Sequence, residues 1–186
     1  MKKAFLLIII LTVSVITTAC INNLAVQELN LKAKESMEKG DYETAIGRLK
    51  SSIDLDDTIF ETHYNLGIAY TNAEKYSEAT EEFEKALKLN PDSDVVYYSL
   101  AVALENQAKD IINPPLKKDD DADEEEVSLT PQDKKELSLE DKQQIVELFE
   151  KSISAYNKYI DKTSQNTDDI KSKIEYLQEE VNKYSE

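Results

Sequence analysis

Apolar residues recur along much of this chain at the three- and four-residue intervals of a helix with one buried face. Ile145, Phe149, Tyr156 and Tyr159, with the small Ser152 among them, mark one such face. Ile170, Ile174, Leu177, Val181 and Tyr184 mark another, and the opposite side of that helix is charged. A longer period lies over the short one. Tyr42 and Tyr76 are 34 residues apart, as are Ala45 and Ala79, Leu49 and Phe83, and Leu55 and Leu89. The same step carries His63 to Tyr97, Leu66 to Leu100, Gly67 to Ala101 and Tyr70 to Leu104, while Leu29 and Ala33 fill these slots upstream. A fixed period of this length is the mark of stacked helical repeats. It predicts repeats at 26–59 and 60–93 and a third that begins at 94, together covering 26–109.

The third repeat is interrupted after its first helix. Residues 110–138 hold Pro114, Pro115 and Pro131, and 119–126 hold seven acids in eight residues. Such a block repels itself and has little apolar surface to bury, so 110–138 is expected to be a disordered acidic insertion. Helix is expected to resume at Ser138, which with Asp141 has the spacing of a capping box. Residues 139–163 then supply the delayed second helix of the third repeat. The helix at 167–185 is expected to cap the stack, hiding the last apolar face and showing its charged side to water.

The middle repeat reads His63-x2-Leu66-Gly67-x2-Tyr70, then Ala79-x3-Phe83, then Pro91. It resembles the tetratricopeptide repeat (TPR), whose pattern is W-x2-L-G-x2-Y…A-x3-F…P. Only the Trp slot departs, and His63 fills it. Gly67 and Ala79 are small where two helices approach, and Pro91 stops the second helix because it cannot donate to the helix ladder. The first repeat keeps Gly40-Asp41-Tyr42 as its turn but has Lys32, Ser36 and Asp57 in the Leu, Tyr and Pro slots. Gly47 lies inside its second helix, at a cost of about 1 kcal/mol against Ala. The resemblance implies an all-α fold, a right-handed TPR-type solenoid of antiparallel helix pairs with a C-terminal capping helix. Its concave face, lined by the first helix of each pair, commonly binds a peptide or helix. In the TPR register the partner-binding groove would present Glu61, Tyr64, Ile68 and Asn72 from the second repeat and Val95, Tyr98, Val102 and Glu105 from the third. That set is apolar and aromatic with acids at its rim.

The start of the chain has a different pattern. Met1-Lys2-Lys3 is followed by an uncharged run from Ala4 to Ala19 with an apolar centre at Phe5–Leu11. A positive start, a short apolar run and small residues before a break describe an export signal. The run is shorter than the roughly 20 apolar residues of a membrane span. It ends Thr17-Thr18-Ala19-Cys20, which resembles the lipobox of bacterial lipoproteins, with Thr17 where Leu is usual. The resemblance implies that 1–19 is removed, that Cys20 takes a diacylglycerol and often a further acyl chain such as palmitate, and that 20–25 is a lipidated tether. Ile21 in place of Asp favours the outer membrane facing the periplasm in a Gram-negative envelope, and otherwise the outer face of the cell membrane. A secretory signal cut after Ala19 and an uncleaved anchor are the other readings of the run.

Composition narrows the chemistry. The chain carries 22 Lys+Arg against 38 Asp+Glu, a net charge of −16. Loss of two lysines with the signal makes it (22 − 2) − 38 = −18. Nucleic acid is excluded as a partner, because phosphate binding needs clustered cations. One Cys and one His exclude an internal disulfide and a multi-His or Cys-based metal site. Three Gly without GxGxxG or GxxxxGK[ST] exclude Gly-rich phosphate loops. The acidic block also fails the EF-hand spacing, with Glu124 or Glu126 where Gly is required. His63 stands in a packing slot, and most tyrosines do likewise. No cofactor, metal or enzymatic activity is expected. The expected function is that of a membrane-anchored scaffold or assembly adaptor of the bacterial cell envelope, with a protein or peptide segment in its groove and the membrane held through Cys20. The alternative is a binding protein for an apolar small ligand inside the superhelix, which would require a closed apolar tunnel.

Overall fold

The computed structural model describes residues 23–114 and 137–185, and these contain seven α-helices and no strand. They are α1 (residues 23–38), α2 (Tyr42–Leu55), α3 (Phe60–Asn72), α4 (Tyr76–Leu89), α5 (Asp94–Ile112), α6 (Leu139–Lys162) and α7 (Asp168–Ser185). Contacts divide the chain into two compact units, Met1–Ser99 and Leu100–Glu186.

In the first unit the helices form where the 34-residue slots place small and large apolar residues. Ala33, Ala45 and Leu49 are fully buried in the first hairpin, and Ala79, Phe83 and Ala86 in the second. Gly40 makes the α1–α2 turn at φ +75, a left-handed conformation that costs Gly nothing sterically. Asp41 then caps α2, its carboxylate accepting from the Thr44 amide at 3.2 Å. The equivalent turn of the second hairpin uses Glu74 at φ 59. α4 stops at Leu89, with Asn90 as its C-cap, immediately before Pro91.

Polar groups also join these helices. Arg48 on α2 donates from Nη1 to the Lys32 carbonyl at 2.6 Å and to the hydroxyl of buried Ser36 on α1. Asn30 Nδ2 donates to Ser52 Oγ on α2 and Thr62 Oγ1 on α3, both at 2.9 Å. Lys32, in the Leu slot, is half exposed and pairs with Glu28 at 2.6 Å. No earlier hairpin among the described residues covers that slot, so a charge is tolerated there.

The second unit is built from most of α5 with α6 and α7. Ser138 and Asp141 form the expected capping box at the start of α6, each side chain bonding the other's backbone amide at 3.0 Å. Ile145, Phe149, Ser152 and Tyr156 are all 1% exposed or less, and Leu177 on α7 is fully buried. Ser152 Oγ donates to the Ala101 carbonyl at 2.8 Å, which ties α6 to α5.

Two sequence boundaries move. α5 continues through Asp110, Ile111 and Ile112 into the expected insertion, because the insertion's first helix-stopping residue is Pro114. Residues 115–136, with the acidic block, lie outside the described residues. At the other end α1 starts at residue 23, inside the expected tether at 20–25, because Val26 already packs in the core at 5% exposure. The expected signal at 1–19 and the expected lipidation site Cys20 lie outside the described residues.

Candidate interaction surface

The candidate groove residues fall on α3 and α5. On α3, Glu61 and Asn72 are exposed while Tyr64 and Ile68 are half-buried. Tyr64 is held by rings on two sides. It stacks on Phe60 with centroids 6.2 Å apart and planes 2° from parallel, and tilts against Phe83 at 6.1 Å. Contacts of this kind hold the ring in place while it stays half-buried. Asn72 Nδ2 donates to the Ile68 carbonyl at 2.9 Å, one turn back on its own helix. In the first unit α5 contributes Val95, 48% exposed, and Tyr98, 41% exposed. Val102, in the second unit, is half-buried.

Glu105 corrects the sequence reading. It is not a rim acid: its residue is 2% exposed and sits inside the second unit. Tyr156 Oη donates to its Oε2 at 3.1 Å, Lys173 from α7 reaches Oε2 at 3.0 Å, and Lys109 bonds Oε1. Burial raises the carboxyl's pKa, but the hydrogen bonds and charges of Lys109 and Lys173 outweigh it and hold it below the usual carboxylate range. Lys173 also lies 5.8 Å from the Tyr156 ring centre. Glu105 therefore joins α5, α6 and α7 from within. Its place in the groove register assumed a third repeat with an open first helix. The α7 lysine that covers it belongs to no slot of the period.

His63 is packed as its slot implies, at 4% exposure, but it is also bonded at both nitrogens. Nδ1 lies 2.6 Å from Glu82 Oε2 and Nε2 lies 2.8 Å from the Asp57 carbonyl. A carbonyl oxygen only accepts, so the bond to Asp57 is donated by Nε2. Glu82 is 7% exposed and its other oxygen takes Lys85 at 2.7 Å. This links α3 to α4 and to the loop before α3. Sequence reasoning missed Glu82. The signal was available, since the 34-residue step aligns Arg48 with Glu82, two charged residues in a slot that faces the neighbouring helix.

The close approach of α3 and α4 rests on Gly67. A methyl group there would come within 2.5–2.9 Å of three ring carbons of the fully buried Phe83. The repeat model named Tetratricopeptide repeat matches residues 60–93. Over these residues the chain is similar to that repeat. The TPR fold extends beyond this one repeat. The first TPR domain of the human RPAP3 protein is similar over 86% of this chain and 94% of that one, with a TM-score of 0.58 at 14% identity. The Sgt2 TPR domain from Aspergillus fumigatus is similar over 86% of this chain and 81% of that one, with a TM-score of 0.51 at 16% identity. At such identities the likeness is one of fold, and the fold is all-α and TPR-type. No curated protein matches the sequence.

Among the described residues, no group of three or more His, Cys, Asp or Glu side chains could hold a metal ion. No helix among them is long and apolar enough to cross a membrane. The second unit has a hollow of ≈ 400 Å³ beside Phe149, Tyr176 and Tyr184, but Lys109, Asp110, Glu180 and Lys183 also line it. Its mixed charged wall is not the apolar tunnel that a small apolar ligand would need.

Proposed function

We propose that this chain is a lipid-anchored adaptor of the bacterial cell envelope, held to the membrane through Cys20 and capturing an apolar protein segment against its TPR helices. One observation carries the binding half. α3 and α5 leave Tyr64, Val95 and Tyr98 partly exposed on helices whose other faces are packed, with Tyr64 half-buried, Val95 at 48% and Tyr98 at 41%. Partly exposed aromatic side chains on a packed helix are residues of the kind that anchor protein interfaces, because they bury much area at little entropic cost. The −16 charge and exposed Glu61 favour a segment that carries positive charge beside its apolar residues. The anchoring half rests on the lipobox resemblance at Thr17–Cys20. On that reading the protein sits in the outer membrane facing the periplasm of a Gram-negative cell, or on the outer face of the membrane of a cell with one membrane. Activity would lie in bringing a bound segment to that surface, with no chemical step.

Two variants test the halves separately. Cys20→Ser is expected to abolish incorporation of labelled fatty acid and release the protein from the membrane fraction; retention and labelling at the wild-type level would remove the anchor. The pair Tyr64→Asp and Tyr98→Asp is expected to lose its crosslinked envelope partner while helicity by circular dichroism is unchanged. An unchanged crosslinking pattern in that folded variant would remove the groove.

A further inference from the structure

The start of α1 bears on how the molecule meets the membrane. Only Ile21 and Asn22 separate Cys20 from the first residue of α1. Three Cα steps span at most about 11 Å. The headgroup layer of one leaflet is itself about 5–7 Å thick. Under the reading that Cys20 is lipidated, on which this inference rests, α1 must begin in or just above that layer.

The outward face of α1 is unusual for so acidic a chain. Leu24 is 68% exposed and Leu31 is 59% exposed, while Val26, Ala33 and Ser36 on the other side are buried. Seven residues turn an α-helix to within about 20° of the same direction and advance it about 10.5 Å. The two leucines therefore form one stripe along the helix. Between them, Glu28 is neutralised by Lys32 at 2.6 Å. Across 23–40 the charges balance, Lys32, Lys34 and Lys39 against Glu28, Glu35 and Glu38, in a chain with a net −16. This element can approach a lipid surface without bringing the acidity of the rest.

We infer that α1 lies along the bilayer with Leu24 and Leu31 inserted at the headgroup level. The leash brings Leu24 near the membrane in any orientation, whereas Leu31 reaches it only if the helix lies flat. Contact is apolar and needs no anionic lipid, in contrast to basic interfacial helices. A helix pinned at Cys20 and along its leucine stripe would fix the orientation of the hairpin packed on it, where a flexible tether would leave it free.

The test uses the full-length lipidated chain in phosphatidylcholine vesicles. Cys20 is the only cysteine. Once it is acylated, Leu24→Cys, Leu31→Cys and the exposed control Glu81→Cys each offer a single thiol for a fluorophore. Lipid-borne nitroxides are expected to quench positions 24 and 31 at least about twofold more than position 81, the depth expected of an interfacial helix. Quenching at 31 no greater than at 81 would overturn the inference while leaving the anchor intact. So would shielding of both positions from a water-soluble quencher without quenching by the lipid nitroxide, which would mean that a second copy covers the stripe. A wild-type protein that takes up the fluorophore at Cys20 and stays off the vesicles would overturn the anchor and the inference together.

Discussion

The first two hairpins share a 34-residue register but are held together differently. In the first, the close-contact slots are Ala33 and Leu49; in the second they are Gly67 and Phe83. Ala33, Leu49 and Phe83 are 0% exposed, and Gly67 is itself buried. The second hairpin gives up a methyl on α3 where α4 carries a ring. The polar slots differ in the same way. Arg48 bonds back to Ser36 and the Lys32 carbonyl, while Glu82 bonds to buried His63. Even the turns differ, with Gly40 in one and Glu74 in the other at similar positive φ. The register thus fixes where a contact occurs, and pairs of slots trade volume and charge within it. A single-residue consensus cannot express that trade, because each member is acceptable only with its partner.

The largest effect should come from Phe83→Ala, which removes the ring that fills the glycine's space. A loss of about 3–5 kcal/mol is expected in denaturant unfolding. Next, Gly67→Ala adds a methyl within 2.5–2.9 Å of that ring. Overpacking costs about 1–3 kcal/mol and helix propensity returns about 1, so a net loss is expected. Combined with Phe83→Leu, which copies the Ala33/Leu49 solution, the loss should shrink rather than add. Strict additivity would break the volume-trade account.

The turns sharpen the comparison at smaller amplitude. Glu74→Gly relieves a left-handed conformation in a non-glycine residue and should stabilise by about 0.5–1 kcal/mol, read as a raised denaturation midpoint. Gly47→Ala should stabilise by a similar or smaller amount, since Gly47 is exposed inside α2 and nothing lies within 4 Å of the added methyl. Two helical glycines then give opposite signs for one substitution. Equal signs would mean that the close approach at Gly67 does not constrain the fold.

Much of this architecture was legible in the sequence because period and residue size speak to packing. Gly67, Ala79, Phe83 and Pro91 marked the second hairpin, and Ser138 with Asp141 marked the start of α6. The candidate surface was less legible. Tyr64, Val95 and Tyr98 are each partly exposed, but Glu105 is buried under Tyr156 and Lys173 from later helices. A repeat pattern describes contacts between neighbouring slots. It carries no information about a lysine that arrives from a helix outside the period. The stripe of Leu24 and Leu31 went unread for the opposite reason: exposed leucines do not enter a pattern of buried slots.

The adaptor reading stands most directly on whether Tyr64 touches a partner in the cell. A photo-crosslinking amino acid placed at 64, and in a second strain at the exposed position 81 of α4, gives that measurement. The account predicts a discrete crosslinked protein at 64 and none at 81, with the product in the membrane fraction. Identical patterns at both positions, or no product at 64, would contradict it.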